Sequence, residues 1–157
     1  MNKVLAAQQT KYDQVDGAWR YVLSRLAPSG GLAKLSIVLF HRVLAKPDPL
    51  FPGDPDAKRF DEICGWLAAW YHVLPLDDAV DRLARGALPA RALAITFDDG
   101  YADNHDLAVP ILRKHGLCAT FFIATGFLDG GRMWNDTAVE AVRQVVVVSV
   151  AVVKRNG

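Results

Sequence analysis

Ala92-Leu93-Ala94-Ile95-Thr96-Phe97 runs without a charge straight into Asp98-Asp99-Gly100. A short continuous apolar run is the pattern of a strand buried on both faces, which is how strands sit in parallel sheets. The turn after it carries two adjacent carboxylates and a glycine that lets the chain bend sharply. Both acids are therefore expected at the carboxyl end of the sheet, where α/β folds bind their ligands.

Working outward, Ser36-Ile37-Val38-Leu39-Phe40 is a second apolar run of the same kind and ends at His41-Arg42. The Pro/Asp/Gly-rich stretch 46–56 reads as loop, and Phe60, Ile63, Leu67 and Trp70 then recur at helical spacing. His72 to Pro75 is a strand candidate. Asp77 is placed to cap a helix holding Val80 and Leu83, which Gly86 ends. Beyond the acidic turn, a helix over 103–115 broken by Gly116 leads to a strand over 118–123. Val15, Trp19, Val22, Leu23 and Leu26 place an amino-terminal packing helix over 10–26, stopped by Pro28-Ser29-Gly30-Gly31. Strands alternating with helices predict βα units on a parallel sheet, so the class is α/β. A closed βα barrel takes about 250 residues; at 157 residues the chain supplies three or four units, part of a barrel.

Eighteen Lys and Arg against seventeen Asp and Glu give a net charge of +1 with 52% apolar residues. That balance excludes a polyanion binder, which needs a basic excess to neutralise phosphates, so no nucleic-acid partner is expected. The charges are unevenly spread: residues 46–109 hold six basic and twelve acidic groups. An acidic centre suits a cation site, although solvated helix faces account for most of these carboxylates. Cys64 and Cys118 lie singly in apolar sequence and read as buried free thiols. The start of the chain turns polar at Gln8 before a signal-peptide core can form, which predicts a cytoplasmic location. No transmembrane segment is expected, because the longest apolar run, 145–153, is far below the roughly 20 residues of a membrane span.

Two neighbouring carboxylates repel unless a cation or a proton relieves them, so one can hold a metal while the other works as a general base. The bland alternative is a turn with a capping Asp. His41 also ends a strand and is placed to face the same cleft, or is a satisfied strand-end histidine. His72, His105 and His115 fall at helix ends, where surface and capping roles are usual. A hydrolytic metal site takes about three protein ligands. The four histidines are 31, 33 and 10 residues apart, so none pairs locally with another as a metal site requires.

Ile95-Thr96-Phe97-Asp98-Asp99-Gly100-Tyr101, preceded by Ser36-Ile37-Val38-Leu39-Phe40-His41-Arg42-Val43 and followed by Leu117-Cys118-Ala119-Thr120-Phe121-Phe122, closely resembles the polysaccharide deacetylase family, the NodB-homology or family 4 carbohydrate esterase domains. The resemblance runs from about Leu35 to Arg143, with three motifs in order. Gly126 to Asp136 further resembles the subgroup tied to bacterial exopolysaccharide loci. The resemblance implies a distorted (β/α) barrel that removes N-acetyl or sometimes O-acetyl groups from an acetylated polysaccharide or oligosaccharide with a divalent metal, zinc foremost, with cobalt or nickel also used. By position it implies Asp98 as the catalytic base, Asp99 as the metal ligand, and His41 as a strand-end histidine lining the active site.

The family's His-Ser/Thr-x-x-His motif, which supplies two metal histidines, is absent, as are its later Arg, Asp and Leu-x-His motifs. The metal site is therefore expected to be incomplete, and a catalytically inactive deacetylase fragment stands as the alternative function. Phosphoacceptor receiver domains also place an acidic pair after a strand, but after their first strand and with a Lys and Asp that are not evident here. The expected layout is an amino-terminal helical extension over 1–34, the deacetylase-like part over 35–143, and a valine-rich tail over 144–157 that is either an edge strand or sequence read out of frame. Part of a barrel leaves sheet edges open, so self-association is expected.

Overall fold

The computed structural model describes residues 20–155, with side chains through residue 144. Residues divide into two compact units, one up to Ile123 and one from Ala124 onward.

The first unit opens with helix α1, described over 20–26; the part of the expected helix over 10–19 lies outside the described residues. A 3-10 turn at Gly30–Leu32 leads to β1 (Ser36–Phe40), α2 (Ala57–Trp70), β2 (His72–Val73), α3 (Leu76–Ala84) and β3 (Ala92–Phe97). A π-turn at Asn104–Ala108 runs into α4 (Val109–Lys114), and β4 (Thr120–Phe121) comes next. The strands form one parallel sheet centred on β3. β1 pairs with all but the first residue of β3, from Ser36 opposite Leu93 to Phe40 opposite Phe97. The other edge of β3 is shared: β2 takes Ala92 and Leu93, and β4 takes Thr96 and Phe97. β4 is shorter than the six residues its apolar run predicts.

All six residues of β3 are buried, as its sequence demands. Leu93, Ile95 and Phe97 alternate onto the face covered by α2 and α4, where they pack with Phe60, Cys64, Leu67 and Leu112. Phe97 stacks on Phe40 at 5.3 Å and Phe121 at 5.0 Å, and Phe60 meets it edge-on at 5.8 Å. Asp56 caps α2, its carboxylate accepting from the Arg59 amide at 2.7 Å.

Four local expectations are corrected. β1 is not buried on both faces: Val38 and Phe40 join the core, but Ile37 and Leu39 are 55% and 50% exposed, because α2 covers only one side. Asp77 does not cap α3, whose preceding residue is Pro75; it lies in the first turn instead. That helix turns Ala79 inward and leaves Val80 and Leu83 exposed. His72 begins β2, as the strand reading over 72–75 has it, and so does not stand at a helix end, and Cys118 is only half-buried.

The second unit holds a 3-10 turn at Thr125–Phe127 and the helix α5 (Trp134–Arg155). The valine-rich stretch continues that helix and is not an edge strand. A strand needs a partner, and this unit holds none among its described residues. Valine costs a helix no more than about 0.7 kcal/mol per residue, so a helix already begun runs through it. No helix among the described residues is long and apolar enough to cross a membrane.

Candidate active site

Parallel pairing of β1 with β3 brings the ends of both strands to one edge of the sheet. The ladder continues one step past the strands, where the Asp98 amide donates to the Phe40 carbonyl at 3.0 Å. His41 and Asp98 therefore leave adjacent strands side by side. Continuing the alternation of β3 carries Asp98 to the face opposite the α2 core.

The turn after β3 is tight. Asp99 has φ of 72° and Gly100 φ of 73°, both in the left-handed region. Asp tolerates that region better than most side-chain-bearing residues, and strain of this kind concentrates at functional sites. Gly100 has a second reason to be glycine, since a Cβ there would stand 2.9 Å from the Ile123 Cδ1 atom. The Gly100 amide donates to the Asp98 carbonyl at 2.9 Å, closing the turn. Asp98 and Asp99 are both half-buried and their carboxylates make no hydrogen bond or ion pair among the described residues.

The loop after β1 folds over this edge. Arg42 pairs with Asp103 at 2.8 Å and lies over the Tyr101 ring at 4.5 Å. The 51–56 loop returns to β1's exit, with the Leu44 amide donating to the Pro55 carbonyl and the Ala57 amide to the Leu44 carbonyl. It brings Asp54 in, a residue the sequence did not single out because nothing in a Pro/Gly-rich loop marks one acid above its neighbours. Burial pushes the Asp54 carboxyl above its ordinary range; the charges of Arg42 and His41 work against that rise, and Asp103 adds to it.

The other histidines lie elsewhere. His72 Nδ1 donates to the Ala90 carbonyl at 2.8 Å, His105 is exposed beside Asp106, and His115 bonds Asp61 at 2.8 Å. A cavity of about 330 Å³ lined by Tyr71, His72, His115 and Leu117 sits where β2 and β4 begin, the end of the sheet away from Asp98. Among the described residues no group of three or more His, Cys, Asp or Glu is placed to hold a metal ion. Asp99 is thus one donor where a hydrolytic metal site takes about three, and the residues present do not make a metal centre by themselves.

Residues 85–148 match the family model for polysaccharide deacetylases, a span that contains Asp98 and Asp99 and ends inside the valine-rich stretch. Over that span the chain is similar to the polysaccharide deacetylase family. The Bacillus subtilis (strain 168) protein YxkH, which carries the polysaccharide deacetylase name, is 34% identical over 93 residues, 58% of this chain and 32% of YxkH. Among solved structures, a de-N-acetylase from Aggregatibacter actinomycetemcomitans is 26% identical, with 62% of this chain and 40% of that one covered at a TM-score of 0.53. The Streptococcus pyogenes deacetylase PplD, solved with acetate, is 26% identical, with 60% and 44% covered at 0.52. IcaB from Ammonifex degensii is 25% identical, with 62% and 39% covered at 0.51. The chain spans about a third of the length of this curated deacetylase relative and about two fifths of the solved ones. These likenesses agree with an α/β fold carrying a parallel sheet of the deacetylase type.

Proposed function

We propose that the chain contributes the base-bearing part of a deacetylase that hydrolyses N-acetyl or O-acetyl groups on a bacterial polysaccharide. The observation that supports it is the pairing of Phe40 with Phe97, which sets His41 beside the Asp98-Asp99 turn, a turn that lies within the stretch matching the deacetylase family model. Asp98 takes the proton of the attacking water, the water oxygen bonds the acetyl carbon, and the bond from that carbon to the sugar nitrogen or oxygen breaks, its electron pair and one proton going to the sugar atom and the acetyl group leaving as acetate. His41 lines the site. Asp99 is a donor for a divalent ion, zinc first and cobalt or nickel after it, with the remaining donors coming from outside the described residues.

The test is acetate release from N-acetylated and O-acetylated oligosaccharides in the presence of zinc. Release that Asp98→Asn abolishes supports the reading; release that survives Asp98→Asn overturns the role of Asp98. A second reading, a catalytically inactive deacetylase fragment, is favoured by the lack of a three-donor group among the described residues. No release with either substrate, together with no zinc binding that depends on Asp99, is its expected result.

We also propose self-association. β1 pairs with β3 alone, so its outer edge is open among the described residues, and Ile37 and Leu39 are exposed on one of its faces. Sedimentation that changes with protein concentration is the expected result.

A further inference from the structure

Two consecutive residues outside the Asp98-Asp99-Gly100 turn hold both sides of Arg42. The Asp103 side chain, 14% exposed, accepts from Arg42 Nε and Nη2, each at 2.8 Å. Its other oxygen accepts from the Val43 amide at 3.4 Å. Asn104 is 3% exposed. With its amide turned so that donors meet acceptors, it donates to the His41 carbonyl at 3.1 Å and to Asp103 Oδ1 at 3.3 Å. Arg42 is held flat as well, over the rings of Tyr101 at 4.5 Å and Phe51 at 5.8 Å.

Placing an ion pair and an amide in so little solvent is poor economy for stability alone. Desolvation takes back much of what the pairing gives, and apolar residues of the same volume serve a core as well or better. What polar pairing supplies is one fixed arrangement. The local backbone points the same way. The Val109 amide donates to the Asn104 carbonyl, an i→i+5 bond, so the helix after the acidic turn opens with a π-turn at the residue that holds His41. Single π-turns inside helices recur at functional sites.

We propose that Asp103 and Asn104 are positioning residues: through Arg42, Val43 and the His41 carbonyl they tie the segment after β1 to the Asp98-Asp99 turn, and so set His41 against Asp98. The functional consequence rests on the reading of Asp98 as the base, but the geometric claim stands without it.

The experiment uses the full chain and needs no activity. The His41 imidazole resonances are followed by NMR in four proteins: the parent, Asp98→Asn, Asn104→Ala, and the double variant. Asp98→Asn is expected to shift the His41 signal in the parent and to leave it unmoved in the Asn104→Ala background. An equal shift in both backgrounds overturns the proposal, since loss of a merely structural side chain leaves the coupling intact. Amide exchange gives the second reading. Asn104→Ala and Asp103→Asn are expected to speed exchange about tenfold at Val43 and Asp98, with Leu93 and Ile95 unchanged. Unchanged rates at Val43 and Asp98, or a uniform rise across β3, overturns it. Where Asn104→Ala does not fold, the isosteric Asp103→Asn carries both measurements. Acetate release is a separate readout: the expected His41 shifts, seen in the parent and lost in the Asn104→Ala background, together with release that survives Asp98→Asn remove the base assignment and leave the positioning intact.

Discussion

The Asp98 amide donates to the Phe40 carbonyl at 3.0 Å, one step beyond the last paired residues of β1 and β3. This bond lets the sheet impose its spacing on the residues just past its edge, so His41 and Asp98 are placed by strand pairing and not by loop conformation alone. The backbone thus sets where the two residues stand without any hydrogen bond or ion pair of the Asp98 carboxylate among the described residues.

Asp98→Asn is expected to leave thermal stability within about 0.5 kcal/mol of the parent, as its carboxylate has no partner to lose among the described residues. Where the parent releases acetate, the same variant is expected to lose roughly a hundredfold or more in kcat. Denaturant melts run beside the acetate assay check both.

Gly100→Ala is expected to destabilise by about 1–3 kcal/mol. The new methyl meets the Ile123 side chain at 2.9 Å, and the backbone φ of 73° is unfavourable for any side-chain-bearing residue. The companion variant Gly53→Ala meets nothing within 4 Å and is expected to change stability far less. Urea unfolding of the pair separates them.

Phe97→Ala is expected to cost about 3–5 kcal/mol, because the ring is wholly buried and touches three other aromatic rings at once. In a chain of this size that loss approaches the whole of the folding free energy. Circular dichroism on the variant is expected to show a melted or markedly less cooperative protein.

Cys64 is fully buried, and burial pushes its thiol up to about 12, with the Asp61 charge adding to the rise. It is expected to resist thiol reagents at pH 8 in the folded chain, because so little thiolate is present. Cys118 is less buried and its thiol is also raised, chiefly by burial. Titration is expected to label Cys118 first and Cys64 only as denaturant is added.

Asp61 is held below its ordinary range, first by its hydrogen bond from Lys114 and then by that from His115. In the window between its lowered value and the ordinary one, the unfolded chain binds more protons, so stability rises with pH there. The contribution is complete above the usual carboxylate range and is lost as pH falls through the lowered value. The group is a third exposed, so solvent screening keeps it to about 0.5 kcal/mol. Urea melts of the parent and Asp61→Asn are expected to differ at pH 7 and to draw together as pH falls through the lowered value.

β1 and β3 were legible as strands because each is a continuous apolar run, β3 alone being buried throughout, and the acidic turn was legible because glycine and adjacent carboxylates are local signals. What escaped was set by partners. β4 pairs at only two residues of its apolar run, on an edge of β3 that it shares with β2. Ile37 and Leu39 look like core and are exposed, since apolar sequence does not say which face a helix will cover. The valine-rich stretch has strand propensity but no strand beside it among the described residues of its unit. Asp103 answers Arg42 across 61 residues of sequence, a pairing that no periodicity records. Asn104 was hidden for the same reason, its acceptor being the backbone carbonyl of His41, just past the end of β1.

The wide turn at Asn104–Ala108 encloses one residue more than an α-helical turn between its donor and acceptor. A helix that takes up an extra residue in this way keeps the angular phase of its later turns, so Leu112 still faces the core. The length of the segment between the acidic turn and α4 is thereby uncoupled from the packing behind it. Gain or loss of a single residue at this turn can change what stands at the sheet edge without rotating the helix out of its seat.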